Sequence, residues 1–149
     1  MLKRIIWSSD GSPSADHALP VVRDLLVSTG ASLTVACVHK EWHIGHRPVL
    51  VDGHETLDGR MRSLVDGLTG DGFDADLVLT TIDAGTPAQL IADLAERLDA
   101  DMIVAGSHGR GAVAGLLVGS FTGALLKVAT CPVLIVPWRP HPAPEVVPN

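Results

Sequence analysis

Short apolar runs alternate along the chain with longer amphipathic stretches. LKRIIWSS (2–9), SLTVACVH (32–39), FDADLVLTTI (73–82), ADMIVAG (100–106) and CPVLIVP (131–137) read as buried strands. The stretches between them carry helical signals. Ser12-Pro13 puts a hydroxyl at an N-cap and proline at the first helical position, so a helix runs from there through HALPVVRDLLVSTG to a stop at Gly30. Pro20, inside it, lacks a backbone donor and bends it. KEWHIGHRPVLVDG (40–53) reads as an irregular loop, followed by a helix near His54–Leu68 that ends at the turn-forming GDG (70–72). Thr86-Pro87 repeats the helix-start signal, and Leu90, Ile91, Leu94, Ala95 and Leu98 then share one face. SFTGALLKVA (120–129) is a short helix.

Strands that are apolar throughout and separated by helices belong to a parallel sheet covered on both faces. Right-handed crossovers restrict the topology to a doubly wound, five-stranded α/β fold of the Rossmann-like kind. Residues 1–138 form one domain on this reading. Residues 139–149, RPHPAPEVVPN, are a proline-rich frayed tail.

Charge narrows the functional classes. The formal net charge is −6, with 46% apolar and 19% charged residues, which marks a globular protein and argues against nucleic acid as a partner. The acids are unevenly spread: Met102 to Pro144 contains no Asp or Glu, while Arg110, Lys127 and Arg139 remain. That third of the chain tolerates an anion. The apolar runs are too short and too interrupted to span a bilayer, and the N-terminus does not resemble a signal peptide. Cys37 and Cys131 lie in apolar runs without a CxxC pair, so a cytosolic protein with reduced, buried thiols is expected. His39, His43, His46 and His54 match no standard zinc spacing and read as solvated loop residues.

Directly after the fourth strand comes GSHGRGAVAGLLVGSFTG (106–123), glycine-rich and free of acids. In open parallel sheets, ligands sit at the carboxyl ends of strands where strand order reverses. If strands one and four are neighbours, this stretch faces SSDGS (8–12) across one crevice. Three phosphate-binding patterns can be tested. Walker A fails, because Ala112 and Val113 stand where lysine and a hydroxyl belong. Gly109, Gly111 and Ala114 meet the dinucleotide fingerprint formally, but the acid it needs about 20 residues later is missing. The third pattern, G-x2-G-x9-G-[ST], is met by Gly106, Gly109, Gly119 and Ser120. Its glycines would let backbone N–H groups approach phosphate oxygens. Gly119-Ser120 opens a helix whose free N–H groups favour an anion. Ser120 and Thr122 add hydroxyls, Arg110 a charge-assisted contact, and His108 a further contact that protonation strengthens. Glycines used only for turns and close packing are the competing reading.

This third pattern resembles the nucleotide-binding signature of the universal stress protein family, in its adenine-nucleotide-binding branch. The likeness extends over IIWSSDGSPSADHAL, GTPAQLIADLAERLDADMIVAGSHGRG and CPVLIVP, nearly the whole chain. The resemblance implies ATP, AMP or a related adenine nucleotide as ligand. It implies that Ser9 and Asp10 contact the ribose or adenine side and that the Val38 backbone hydrogen-bonds adenine. With Gly106, His108, Gly109, Arg110, Gly111, Gly119, Ser120, Phe121 and Thr122 they make up the expected site. Asp10 is also the nearby carboxylate for a nucleotide-bound Mg, although an Asx-turn role beside Ser12 serves it equally well. Trp7 is expected either to narrow the pocket or to repack the core. The resemblance further implies a homodimer through the last strand, Cys131–Pro137; an apolar strand at a sheet edge needs cover in any case. The leading function is a binding and signalling module. The alternatives are a slow nucleotide hydrolase or phosphoryl-transfer enzyme, and a nucleotide-free partner-binding dimer.

Overall fold

The computed structural model describes residues 1–39, 42–44, 47–49, 54–82, 85–108 and 118–138. Strand β1 (Arg4–Ser8) leads through helices α1 (Pro13–His17) and α2 (Leu19–Thr29) into β2 (Ser32–His39). Short strands β3 (Trp42–Ile44) and β4 (Arg47–Val49) precede helix α3 (His54–Gly70) and strand β5 (Ala75–Thr81). Helix α4 (Pro87–Leu98), strand β6 (Met102–Gly106), helix α5 (Ser120–Val128) and strand β7 (Val133–Val136) complete the order. Five strands form one sheet in the order β5-β2-β1-β6-β7, every pair parallel. The expected doubly wound fold is borne out.

Alternation along the strands divides the core between the two faces of the sheet. Ile5, Trp7, Leu33, Val35 and Cys37 pack with Val22 and Leu26 of α2 and with Leu57, Met61, Val65 and Leu68 of α3. Ile6, Ala36, Ile103 and Ala105 point the other way, onto Ala88, Ile91, Leu94 and Ala95 of α4 and Leu125 of α5. Trp7 is therefore a core residue, fully buried; its indole N–H finds no hydrogen-bond partner among the described residues.

Helix ends follow the local chemistry. Ser12 and Thr86 cap α1 and α4, their side chains accepting from the N–H groups of Ala15 and Gln89 at 3.2 Å each. Gly72, at φ +92°, closes α3 with paired bonds from Phe73 N–H to the Leu68 carbonyl and from Gly72 N–H to the Thr69 carbonyl. At the opposite rim, Asp101 accepts from the N–H groups of Lys3 and Arg4, and these bonds hold its carboxyl below the usual carboxylate range.

Two local expectations need correction. The helix from Ser12 to Gly30 is not one bent rod but two helices, broken at Ala18. Proline at 20 offers no N–H to the Asp16 carbonyl and its ring crowds that turn, so Ala18 N–H instead bonds back to the Ala15 carbonyl at 3.0 Å. The presumed irregular loop after β2 contains an antiparallel pair, with Trp42 opposite Val49 and Ile44 opposite Arg47. The proline-rich tail, 139–149, lies outside the described residues.

The two thiols sit on opposite faces. Cys131 is half-buried against the α4–α5 side, less covered than its apolar context suggests, and burial raises its pKa. Cys37 is buried, and its thiol is pushed up from 9.0 to about 12, by desolvation first and then by the charges of Asp58 and Asp10, with Arg60 opposing. The native state thus keeps a proton that the unfolded chain releases on ionising. The Cys37 contribution is whole below pH 9.0 and declines as pH rises toward about 12. The expected slope is about −1.4 kcal/mol per pH unit. Urea titrations at successive alkaline pH values should show this slope in the wild type and its loss in Cys37→Ala. At pH 8 a thiol reagent should label Cys131 in the native protein and reach Cys37 only on unfolding.

Candidate functional site

The turn after β1 is built from its own short side chains. Ser9 N–H extends the β1–β2 ladder by donating to the Ala36 carbonyl at 3.0 Å. Gly11 N–H donates to Ser9 Oγ at 3.2 Å, and Ser12 N–H to Asp10 Oδ1 at 2.9 Å. Asp10 therefore makes an Asx turn, and its half-buried carboxylate stays at the carboxyl end of β1. Gly11 takes φ +72°, a conformation that glycine adopts without strain. Arg60 of α3 reaches this turn, its Nη2 donating to the Gly11 carbonyl at 3.0 Å and to both Asp16 carboxylate oxygens at 3.1 Å.

At the end of β6 the packing is tighter. A Cβ on Gly106 would lie 2.6 Å from the Ser14 carbonyl oxygen and 2.7 Å from Ser14 Oγ. The missing side chain thus serves the approach of α1 to β6, the packing role weighed for these glycines. The Gly106 carbonyl accepts from Thr122 Oγ1 at 3.0 Å, and Thr122 is 1% exposed. Its hydroxyl proton is used as a strut between β6 and α5. His108 N–H donates to Ser14 Oγ at 3.1 Å.

Ser107, absent from the expected site, is the junction. It is buried, its N–H donates to the Val136 carbonyl at 3.0 Å and its own carbonyl accepts from Gly119 N–H at 2.8 Å. Its Oγ accepts from Trp138 N–H at 3.0 Å and lies 2.9 Å from His108 Nδ1. One residue thereby ties together β6, the end of β7 and the start of α5.

Helix α5 begins differently from the capped helices. Gly119, extended at φ −68° and ψ 165°, supplies no side-chain cap, and its first turn holds no acid. The first intrahelical bond runs from Gly123 N–H to the Gly119 carbonyl at 2.9 Å. The N–H groups of Ser120, Phe121 and Thr122 consequently have no carbonyl one turn back within the helix. Ser120 is exposed and Phe121 is half-buried against the α4–α5 core. Gly109, Arg110 and Gly111 lie outside the described residues.

Pairing in the sheet brings these pieces together. Because β1 lies between β2 and β6, the Ser9–Asp10 turn, the end of β2 and the Gly106–His108 segment share one rim. Strand order reverses at β1 and β6, the place where open α/β sheets hold ligands. Val38 is set by parity. Along β2, Ser32 N–H and the Ala36 carbonyl bond toward β1, whereas Leu33 N–H bonds toward β5. Val38, two residues beyond Ala36, directs its main-chain groups to the β1 side, past the last β1–β2 bond. Among the described residues no group of three His, Cys, Asp or Glu side chains could hold a metal ion. The side chains of His39, His43 and His54, and all of His46, lie outside the described set.

Comparison with known proteins identifies the family and agrees with the fold. The model of the universal stress protein family matches residues 1–137. A universal stress protein of Thermus aquaticus is 33% identical over 91% of this chain and 99% of its own length. Universal stress protein A homolog 1 of Coxiella burnetii is 29% identical over 90% of this chain and 95% of its own. The universal stress protein UspA of Lactobacillus plantarum superposes with a TM-score of 0.73 at 19% identity, covering 91% of this chain and 97% of that one. Two further solved relatives carry nucleotides. The Arabidopsis thaliana protein has AMP bound (TM-score 0.64, 16% identity, 97% of each chain). The Archaeoglobus fulgidus protein is in complex with dAMP (TM-score 0.61, 20% identity, 91% of this chain and 97% of that one).

The joints at this rim can be measured apart from any ligand. Gly106→Ala forces a Cβ into the Ser14 backbone and should destabilise the protein by about 1–3 kcal/mol. Thr122→Val removes the donor from a buried carbonyl and should cost about 1–2 kcal/mol. Urea denaturation checks both. Unchanged stability in Gly106→Ala would mean that α1 can withdraw from β6.

Proposed function

The chain belongs to the universal stress protein family, and from that premise we propose that it is a cytosolic signalling protein which binds ATP or a related adenine nucleotide at the β1–β6 rim. The observation that carries the reading is the start of α5. Three first-turn N–H groups, with neither a side-chain cap nor an acid beside them, stand at the carboxyl end of β6, where the strand order reverses. Such a terminus favours a phosphate through its free donors and its positive dipole end. Relatives of the same fold with bound AMP and dAMP support the choice of ligand.

Each residue then takes a role. Main-chain N–H groups of Ser120 and Phe121, with the Ser120 hydroxyl, hold phosphate oxygens, while Gly119, its own N–H spent on the Ser107 carbonyl, starts the helix without a side chain in the way. Gly109, Arg110 and Gly111 extend the cradle, and His108 borders it. Val38 recognises adenine through its main chain, and Ser9 and Asp10 take the ribose side. Gly106 and Thr122 shape this rim rather than donate to the ligand. Asp10 is the nearest carboxylate to a Mg ion that a nucleotide brings with it.

Binding rather than turnover is the function. Phosphoryl transfer calls for a positioned nucleophile, usually a base, and a clamp on the developing charge. Of the carboxylates near the described rim, Asp10 holds Ser12 N–H and Asp16 is paired with Arg60. Steady-state phosphate release at rates of dedicated enzymes would favour the hydrolase reading instead.

Dimerisation through β7 accompanies this function. β7 is an edge strand whose apolar residues are only partly covered, and an exposed edge of that kind pairs readily.

Three experiments follow. Mass spectrometry should find an adenine nucleotide released from protein purified without added nucleotide. Gly109→Val should then weaken ATP binding at least a hundredfold, because about two charge-assisted hydrogen bonds of about 1.5–3 kcal/mol each are lost. Asp10→Ala should weaken it less, by about tenfold. Normal ATP affinity in a folded Gly109→Val protein removes the cradle. For the dimer, sedimentation should show wild-type dimer and a monomer or aggregate on Leu134→Asp. A wild-type monomer would end that part of the proposal.

A further inference from the structure

Arg60 ties α3 to the turn carrying Asp10, and nothing in the phosphate-binding pattern calls for it. Its Nη2 donates to the Gly11 carbonyl at 3.0 Å, and the same nitrogen lies 3.1 Å from both carboxylate oxygens of Asp16. Asp16 belongs to α1, whose N-cap Ser12 is held in turn by Asp10 Oδ1. The contacts close a ring: Asp10 fixes Ser12, Ser12 starts α1, α1 presents Asp16, and Arg60 joins Asp16 to Gly11. Gly11 sits at φ +72°, a setting that glycine leaves easily because no Cβ confines it. A turn of that kind needs an outside contact to stay in one conformation.

Stability alone accounts poorly for this arrangement. The side chains of Arg60 and Asp16 are 50% and 44% exposed, and ion pairs in water contribute little to folding. The protein has a comparable exposed pair elsewhere, Arg23 with Asp71 at 2.8 Å, which touches no turn of the rim. What distinguishes Arg60 is the main-chain carbonyl that it holds next to Asp10. An independent sign places the two groups in one electrostatic neighbourhood: Asp10 and Arg60 act on the buried Cys37 thiol with opposite effect.

We infer that Arg60 is a positioning residue for nucleotide binding: it clamps the Gly11 turn against α3 so that the Asp10 carboxylate is held ready for the ribose, without itself touching the ligand. The inference rests on the adenine-nucleotide reading of the rim. Preorganisation of this kind raises affinity by removing the cost of ordering the turn during binding.

The test is a double-mutant cycle with AMP as the probe, read by calorimetry on the full chain, with melting temperatures recorded in parallel. Arg60→Ala should weaken AMP binding about three- to tenfold, corresponding to about 0.7–1.4 kcal/mol. The same change made in an Asp10→Ala background should alter affinity less than about twofold, because the residue through which Arg60 acts is gone. Arg60→Lys, which keeps the charge but loses the fork, should fall between wild type and Arg60→Ala. Arg23→Ala, the matched surface pair, should leave AMP affinity unchanged. Wild-type affinity in Arg60→Ala overturns the inference, as does an equal loss with and without Asp10. Should Arg60→Ala fail to fold, Arg60→Lys carries the cycle with Asp10→Ala in its place, and full additivity there overturns the inference too. If the wild type binds neither AMP nor ATP, the nucleotide reading itself falls, an outcome distinct from a wild type that binds and an Arg60 variant that binds equally well.

Discussion

Parallel pairing of β1 on both sides, to β2 and to β6, is the constraint on which the candidate site depends. A parallel neighbour requires a crossover, and right-handed crossovers from a central strand send the chain outward over one face and then back over the other. Here the chain moves from β1 to β2 and β5, then returns past β1 to β6 and β7. The helices that follow β1 and β6 therefore pack on opposite faces of the sheet, α2 in one half of the core and α5 in the other. Had β6 paired with β5, the Asp10 turn and the start of α5 would lie at separate edges. No choice of glycines could then bring them to one ligand.

The rim between β1 and β6 is kept in shape by a small set of buried polar joints. Ser14, Ser107 and Thr122 are each below 5% exposed, and each spends its hydroxyl on another element. Ser14 receives His108 N–H, Thr122 donates to the Gly106 carbonyl, and Ser107 receives Trp138 N–H. Unpaired, such groups would each be costly to bury; paired, they fix distances that apolar contacts leave free. The contact of Gly106 with Ser14 works in the same direction. With no Cβ at 106, α1 lies directly on the end of β6, and His108 leaves the strand in a set direction.

Local signals in the sequence foretold what is local in the fold. Ser12-Pro13 and Thr86-Pro87 start helices, Gly30 and Gly72 end them, and the apolar runs are the five sheet strands. The juxtaposition of SSDGS and GSHGRG needed only the pairing of β1 with β6, which the topology supplies. The β3–β4 pair escaped notice because three-residue strands, one containing Pro48, are too short for alternation to stand out. The break at Ala18 needed knowledge of which carbonyl loses its partner, not only that a proline was present. Ser14, Arg60 and Ser107 were missed for another reason. Ser14 meets His108 across 94 residues and Arg60 meets Gly11 across 49, and no spacing rule reaches that far. Serine and arginine at those positions are also unremarkable as residue types. The glycine at 106 was legible as a place of close approach, but not which atoms would approach.

The character of the rim bears on what it can do. Among the described residues it presents main-chain N–H groups at the start of α5 and the main chain of Val38 at the end of β2. Such groups bind an anion or a base edge without changing protonation state, and they stay fixed by the sheet and helix that carry them. The Asp10 carboxylate already shapes its own turn through Ser12 N–H. Ser107 joins the start of α5 to the Val136 carbonyl and to Trp138 N–H, at the end of the edge strand. Any ordering of the rim by a bound anion acts on atoms that are one hydrogen bond from β7.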